Sequence, residues 1–196
     1  MKEAFIIRHS KREHVARVQE HAKAQLTKEG IAAAEDLGKW LAENFQKVKV
    51  YSSPIDRCVD TGRCIQRAFS NNTDIVISSM MGEPGPFVYG DAIESFNKLG
   101  TVGVVVALEE GRTLPLIRSK EEGTQLLIDH VLDELRIAED GTALVFVTHD
   151  ACVAPAINLL AGEFFDEKHW IEYLGGLEIQ INEGEPVITR FKGILD

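Results

Sequence analysis

Three short polar clusters stand directly after apolar runs. Arg8-His9-Ser10-Lys11-Arg12 follows Ala4-Phe5-Ile6-Ile7, Ser52-Ser53-Pro54-Ile55-Asp56-Arg57 follows Val48-Lys49-Val50-Tyr51, and Thr148-His149-Asp150 follows Ala143-Leu144-Val145-Phe146-Val147. Histidines and arginines gathered in one place make an anion site with a nucleophile in it. An imidazole can attack phosphorus to give a phosphohistidine, which divides one difficult displacement into two easier ones. Guanidinium groups grip phosphoryl oxygens in pairs of hydrogen bonds and stay charged at any relevant pH. They also stabilise the charge that spreads over those oxygens in the transition state. Arg8, Arg12 and Arg57 would supply three such charges around one phosphate without a metal ion. A carboxylic acid must then protonate the departing alkoxide.

Each residue also has a plain structural reading. A histidine at a strand end, such as His9 or His149, is commonly a buried polar group bonded to backbone. Arg57 could be a solvated residue in the first turn of a helix, and Arg12 part of a charged loop. Asp150 stands where a following helix needs a cap. Ligation of a divalent ion by His9, His149, Asp150 and Glu83 is opposed by the arginines beside both histidines, which would repel a cation.

For the clusters to meet, the apolar runs before them must be neighbouring strands. Each run is short and nearly continuous in hydrophobicity, as in a parallel strand buried on both faces. A helix is expected to open after Thr27 as N-cap, with Ile31, Ala34, Leu37, Gly38 and Leu41 as its buried stripe. A weaker helical pattern covers Val15 to Lys23. Ser53 and Pro54 read as cap and first residue of a helix running to about Ala68, and Ile75-Val76-Ile77 as a third strand. Residues 80–116 read as an irregular insertion near the active site, with one helix near Ala92 to Leu99. Ser119 caps a helix whose apolar face is Leu126, Leu127, Val131, Leu132 and Leu135. Another helix runs from Ala151 to about Leu160. Residues 177–181 and 187–191, around Glu183-Gly184-Glu185-Pro186, alternate as an antiparallel edge hairpin. The expected fold is a three-layer α/β/α sandwich, its sheet mostly parallel, forming a single domain over 1–196. Ligands of such sheets bind at the carboxyl ends of the strands.

The clusters and their surroundings resemble the histidine phosphatase, or phosphoglycerate-mutase-like, superfamily. The resemblance rests on Ile7 through Arg12, on Leu26-Thr27-Lys28-Glu29-Gly30 with Leu37-Gly38, on Ser52 through Arg57 and Thr61, and on Val147 through Asp150. It implies His9 as the phosphorylated nucleophile, Arg8 and Arg57 as phosphate ligands, and His149 as the second histidine of the phosphate pocket. Arg12 matches the second arginine of the acid-phosphatase branch. Ser10 replaces the family's glycine, and its hydroxyl could crowd the phosphate or donate to it. For the proton donor the acid-phosphatase branch points to Asp150 and the mutase branch to Glu83, which the compact chain favours. The implied activity is hydrolysis of phosphomonoesters, or of phosphoanhydrides. The alternatives are a phosphoglycerate-type phosphomutase and a catalytically weak phosphate-binding protein. The expected partner is a small phosphorylated metabolite or a phosphoprotein, with inorganic phosphate as product and no cofactor.

Composition excludes several classes. In 196 residues, 21 lysines and arginines against 31 acids give a net charge of −10. That balance opposes sequence-independent nucleic-acid binding and anionic membrane surfaces. No run approaches the roughly 20 apolar residues of a membrane span. An odd cysteine count (Cys58, Cys64 and Cys152) without a secretory leader fits reduced thiols and a cytoplasmic protein. Cys58 and Cys64, six residues apart on one helix, lie about 9 Å apart along its axis, too far to bridge.

Overall fold

The computed structural model describes residues 2–14, 23–70, 73–82 and 85–194. Its centre is a six-stranded sheet in the order β3-β2-β4-β1-β5-β6. The strands are β1 (Glu3–Arg8), β2 (Lys47–Ser52), β3 (Val76–Ile77), β4 (Thr142–Thr148), β5 (Gly176–Asn182) and β6 (Glu185–Phe191). The first four run parallel, while β5 and β6 form the antiparallel hairpin on the β1 side. That hairpin turns through Glu183 and Gly184, both in the left-handed region.

Period-two alternation assigns the side chains of each strand to opposite faces. Phe5 and Ile7 of β1 and Val145 and Val147 of β4 pack with Leu37 and Leu41 of helix α1 (Lys28–Asn44) and Ile65 of α2 (Asp56–Gln66). On the other face Ala4, Ile6, Leu144 and Phe146 meet α4 (Lys120–Ile137) and α5 (Asp150–Ala161). Helices therefore cover both faces, and the sandwich expected from the alternation of elements is observed.

The caps follow the sequence at two ends and depart from it at a third. Thr27 accepts the Gly30 N–H at 3.0 Å, and Ser119 with Glu122 closes a reciprocal capping box. Ser53 does not cap α2: that helix starts three residues later, after Ile55, with no side-chain cap. The buried stripes are also rotated slightly from expectation. Ile31 is 36% exposed and Leu126 41%, while Gly30 and Ile128 take the inward positions. The weak helical pattern between Val15 and Lys23 falls, apart from Lys23, outside the described residues.

The segment 80–116 is more regular than expected. Helix α3 (Ile93–Glu109) extends well beyond Leu99, across a kink where Gly100 has φ +66°. Glycine alone adopts that backbone cheaply, so the helical pattern resumes on a new axis. Phe87, Val104, Leu108 and Ile117 form a small core against Cys152 of α5. Phe87 lies so close to Gly123 that a Cβ there would meet the ring at 2.2 Å. Among the described residues, no helix is long and apolar enough to cross a membrane.

Candidate active site

The register of the parallel strands levels their carboxyl ends. Arg8 pairs with Thr148, and Ser52 with Val147. The next residues extend the ladder by one bond each: the His9 N–H donates to Thr148 O at 2.9 Å, and the Ser53 N–H to Val147 O at 3.1 Å. Three clusters far apart in sequence therefore open onto one place. The rings of His9 and His149 are 5.7 Å apart between centroids. Arg57, in the first turn of α2, bridges them, donating through Nε to His9 Nε2 at 3.0 Å and through Nη2 to His149 Nδ1 at 3.1 Å.

The partners fix both tautomers. A carbonyl only accepts, so His9 carries its proton on Nδ1, which donates to Ser10 O at 2.8 Å. A guanidinium only donates, so His9 Nε2 presents a lone pair. By the same logic His149 keeps Nδ1 bare toward Arg57 and donates from Nε2 to Ser53 Oγ at 2.9 Å. Burial and the charge of Arg57 hold both imidazoles neutral. His9 is lowered well below the ordinary histidine value, and His149 falls to about 4. A neutral imidazole with a free Nε2 lone pair is the form that can act as a nucleophile.

These shifts make stability depend on pH with a definite sign. Between the ordinary histidine value and about 4, the unfolded chain binds a proton on His149 that the folded chain refuses. Stability is therefore complete above about pH 6.5 and falls on acidification toward pH 4. The slope is about 1.4 kcal/mol per pH unit from this residue, with His9 acting in the same direction. Urea unfolding followed across that range should show the slope, and His149→Gln should flatten it. An unchanged slope in the variant contradicts the burial of a neutral ring.

Arg8 is held from the opposite side. It donates through Nη1 to Ile171 O at 2.5 Å and pairs through Nη2 with Asp150 Oδ2 at 3.1 Å. Its Nε is buried and has no partner among the described residues. An orphaned buried donor costs free energy unless a ligand completes it, and an anion is the chemistry that would do so. Asp150 is committed on both oxygens. Oδ2 also accepts from Trp170 Nε1 at 3.2 Å, and Oδ1 from the Ala151 N–H at 3.0 Å. Burial pushes this carboxyl up, but the Arg8 guanidinium, helped by the Trp170 N–H, outweighs it and holds it below the ordinary aspartate value. Asp150 is thus the counter-ion of Arg8. Nor is it the cap of α5; it is the first helical residue, after His149.

Ser10 does not face the anion position. It is fully buried, its hydroxyl donates to Gly30 O at 2.7 Å, and its N–H donates to Thr61 Oγ1 at 3.0 Å. The expectation that its hydroxyl meets phosphate is corrected: the side chain fastens the His9 loop to α1 from beneath. The same fastening explains the Leu-Thr-x-x-Gly block. Thr27 donates its N–H to Lys11 O, and a Cβ on Gly30 would lie 2.1 Å from that same oxygen. Arg12 is half-buried, donates to Glu13 O at 2.9 Å, and lies near enough for its charge to act on Arg57. Glu83 lies outside the described residues, but the chain leading to it is pinned at the site. Met81 O accepts from Thr148 Oγ1 at 2.7 Å, and a Cβ on Gly82 would sit 2.7 Å from Ser53 Oγ.

Several partners were not foreseen. Ser53 carries a signal that points elsewhere, since Ser-Pro before a helix reads as a cap. Thr61 orients both the Ser10 N–H and the Arg57 carbonyl, to which it donates at 2.7 Å. Cys58 lies 3.7 and 3.9 Å from the ring nitrogens of His149, and burial raises its thiol to about 12. Native protein should therefore leave Cys58 unmodified by an aromatic disulfide reagent at pH 8, and denaturant should release it. Labelling of Cys58 in the native protein at the rate of a free thiol contradicts this. Among the described residues no group of three or more His, Cys, Asp or Glu side chains is placed to hold a metal ion.

Comparison with known proteins gives a consistent picture. The model of the histidine phosphatase superfamily (branch 1) matches residues 4–83, the stretch that carries Arg8, His9 and Arg57. A phosphoserine phosphatase of Entamoeba histolytica, solved with phosphoserine, is 21% identical with a TM-score of 0.58, over 98% of this chain and 97% of that one. YhfR of Bacillus stearothermophilus is 14% identical with a TM-score of 0.66, over 100% and 98%. A phosphoglycerate mutase of Bacillus anthracis is 16% identical with a TM-score of 0.57, over 97% and 92%. At such identities the likeness establishes the fold. No curated protein matches the sequence.

Proposed function

We propose that this chain, a member of the histidine phosphatase superfamily, hydrolyses phosphomonoesters through a phosphohistidine at His9. The observation that carries the reading is the fixed state of His9: Nδ1–H tied to Ser10 O, and a bare Nε2 facing Arg57. The phosphoryl group enters between Nε2 and Arg57, whose donors turn from the imidazole to its oxygens. The unpartnered Nε of Arg8 meets the same anion from the far side. Nε2 then attacks phosphorus, the P–O bond to the leaving group breaks, and the alkoxide takes a proton from Glu83. In the second half water attacks phosphorus, the P–N bond breaks, and the same carboxylate receives the water's proton. Orthophosphate leaves and His9 returns to its neutral form. His149 stays neutral throughout, orienting Arg57 through Nδ1 while Ser53 holds its far side. Arg12 adds charge at the rim.

Orthophosphate release from p-nitrophenyl phosphate and phosphoserine in buffer containing EDTA tests the reading. Continued release supports it; no release from any phosphomonoester opposes it. Loss of release that returns on adding a divalent ion opposes the metal-free mechanism. An isomer formed from a bisphosphate-primed phosphoglycerate, with no orthophosphate, would make the chain a mutase instead.

A further inference from the structure

We infer that Tyr173 is a positioning residue for the phosphate-binding arginine, its ring face setting the plane of the Arg8 guanidinium. The inference rests on the reading of Arg8 as a phosphate ligand and adds a residue that no matched motif contains. The Arg8 guanidinium carbon lies 4.0 Å from the centroid of the Tyr173 ring, within the range of a cation–π contact. The same ring lies 5.9 Å from that of His9 and is 37% exposed, so it faces both the nucleophile and the solvent from which substrate comes.

The segment that carries Tyr173 is built as a clamp. Three successive features of it touch the Arg8–Asp150 pair: the Trp170 indole N–H on Asp150, the Ile171 carbonyl on Arg8, and the Tyr173 ring over Arg8. Outside the site, Arg190 of β6 anchors the segment through Glu163 at 2.6 Å and through Glu172. The backbone is strained where the ring is aimed. Leu174 has φ +62° although it is not glycine, and it is buried in the core. A non-glycine residue in that region persists only where its surroundings impose it, and such outliers gather at functional sites. Here the imposition is visible, because the Leu174 N–H donates to Arg8 O at 3.1 Å and the Arg8 N–H to Gly175 O at 2.9 Å. The turn sends Leu174 inward and leaves Tyr173 over the arginine.

With one donor of each Nη spent on Ile171 O and Asp150, the plane of the group decides where its buried, unpartnered Nε–H points. A ring face 4.0 Å from the guanidinium carbon restricts how that plane can turn without consuming a hydrogen bond.

The test is calorimetric titration of the full chain with orthophosphate, comparing wild type with Tyr173→Phe, Tyr173→Leu and Tyr173→Ala. Phenylalanine keeps the π face and leucine keeps apolar bulk without it. The expected result is wild-type affinity for phenylalanine and a loss of about three- to thirtyfold for both leucine and alanine. Inhibition by orthovanadate should follow the same order. A merely structural role would lower the melting temperature of the leucine and alanine variants while leaving phosphate affinity alone. Leucine binding phosphate as tightly as wild type overturns the inference. Wild type that binds no orthophosphate overturns the phosphate site itself, and the inference with it. If the alanine variant fails to fold, the phenylalanine and leucine pair decides.

Discussion

Replacing His9 with asparagine should lower kcat/KM for p-nitrophenyl phosphate by about 10⁴-fold or more, the scale seen when a covalent nucleophile is deleted. The large effect is expected because the remaining groups bind, orient or carry a proton, and none supplies the nucleophile. On the proposed reading Arg8 and Arg57 hold the phosphoryl oxygens, and His149, with Nε2–H on Ser53 and Nδ1 toward Arg57, serves to orient Arg57. Asparagine fits the comparison because its amide can still donate toward Ser10 O. Circular dichroism and orthophosphate titration of the variant should match wild type, which separates lost chemistry from lost structure. Activity within tenfold of wild type, in a folded variant, contradicts the nucleophilic role.

The second large effect concerns the proton. Glu83→Gln should lower kcat on alkyl phosphates about 10²- to 10³-fold, the usual contribution of a general acid, and spare p-nitrophenyl phosphate, whose leaving group departs without one. Asp150→Asn should behave differently. Its carboxylate balances Arg8 and accepts from Trp170, so the change disturbs phosphate binding, raising KM on alkyl and aryl substrates alike. Measuring both variants on both leaving groups decides the matter. Selective loss of alkyl phosphates in Asp150→Asn, with Glu83→Gln unaffected, would move the donor to Asp150.

The parts of the fold read from sequence are those that local chemistry controls. The strands announced themselves as short apolar runs ending in charge, and Thr27 and Ser119 cap because their hydroxyls have an N–H to satisfy within one turn. Their order then predicted the sandwich, and the level ends of β1, β2 and β4 follow from parallel register. His9, His149 and Arg57 were legible for that reason. The partners of Arg8 were not. Ile171, Trp170 and Tyr173 lie more than 160 residues along the chain, in a loop whose path depends on one strained residue and on the Arg190 anchor. Ser10 and Ser53 misled for a related reason: a hydroxyl near a phosphate motif, or before a helix, has a local use, but each spends itself on a tertiary partner instead. Helix α3 was legible only as far as about Leu99, because the glycines beyond it weaken the local signal and only packing on α5 restores it.

The central claim is a covalent bond between His9 and phosphorus, and the direct measurement is to trap it. Protein mixed with ³²P-labelled phosphomonoester, quenched in alkali within the first turnovers and digested, should yield label on the peptide that contains His9, stable in base and lost in acid. The account predicts that label on wild type and none on His9→Asn. Turnover at the wild-type rate with no label at any quench time, or label on a different peptide, contradicts it.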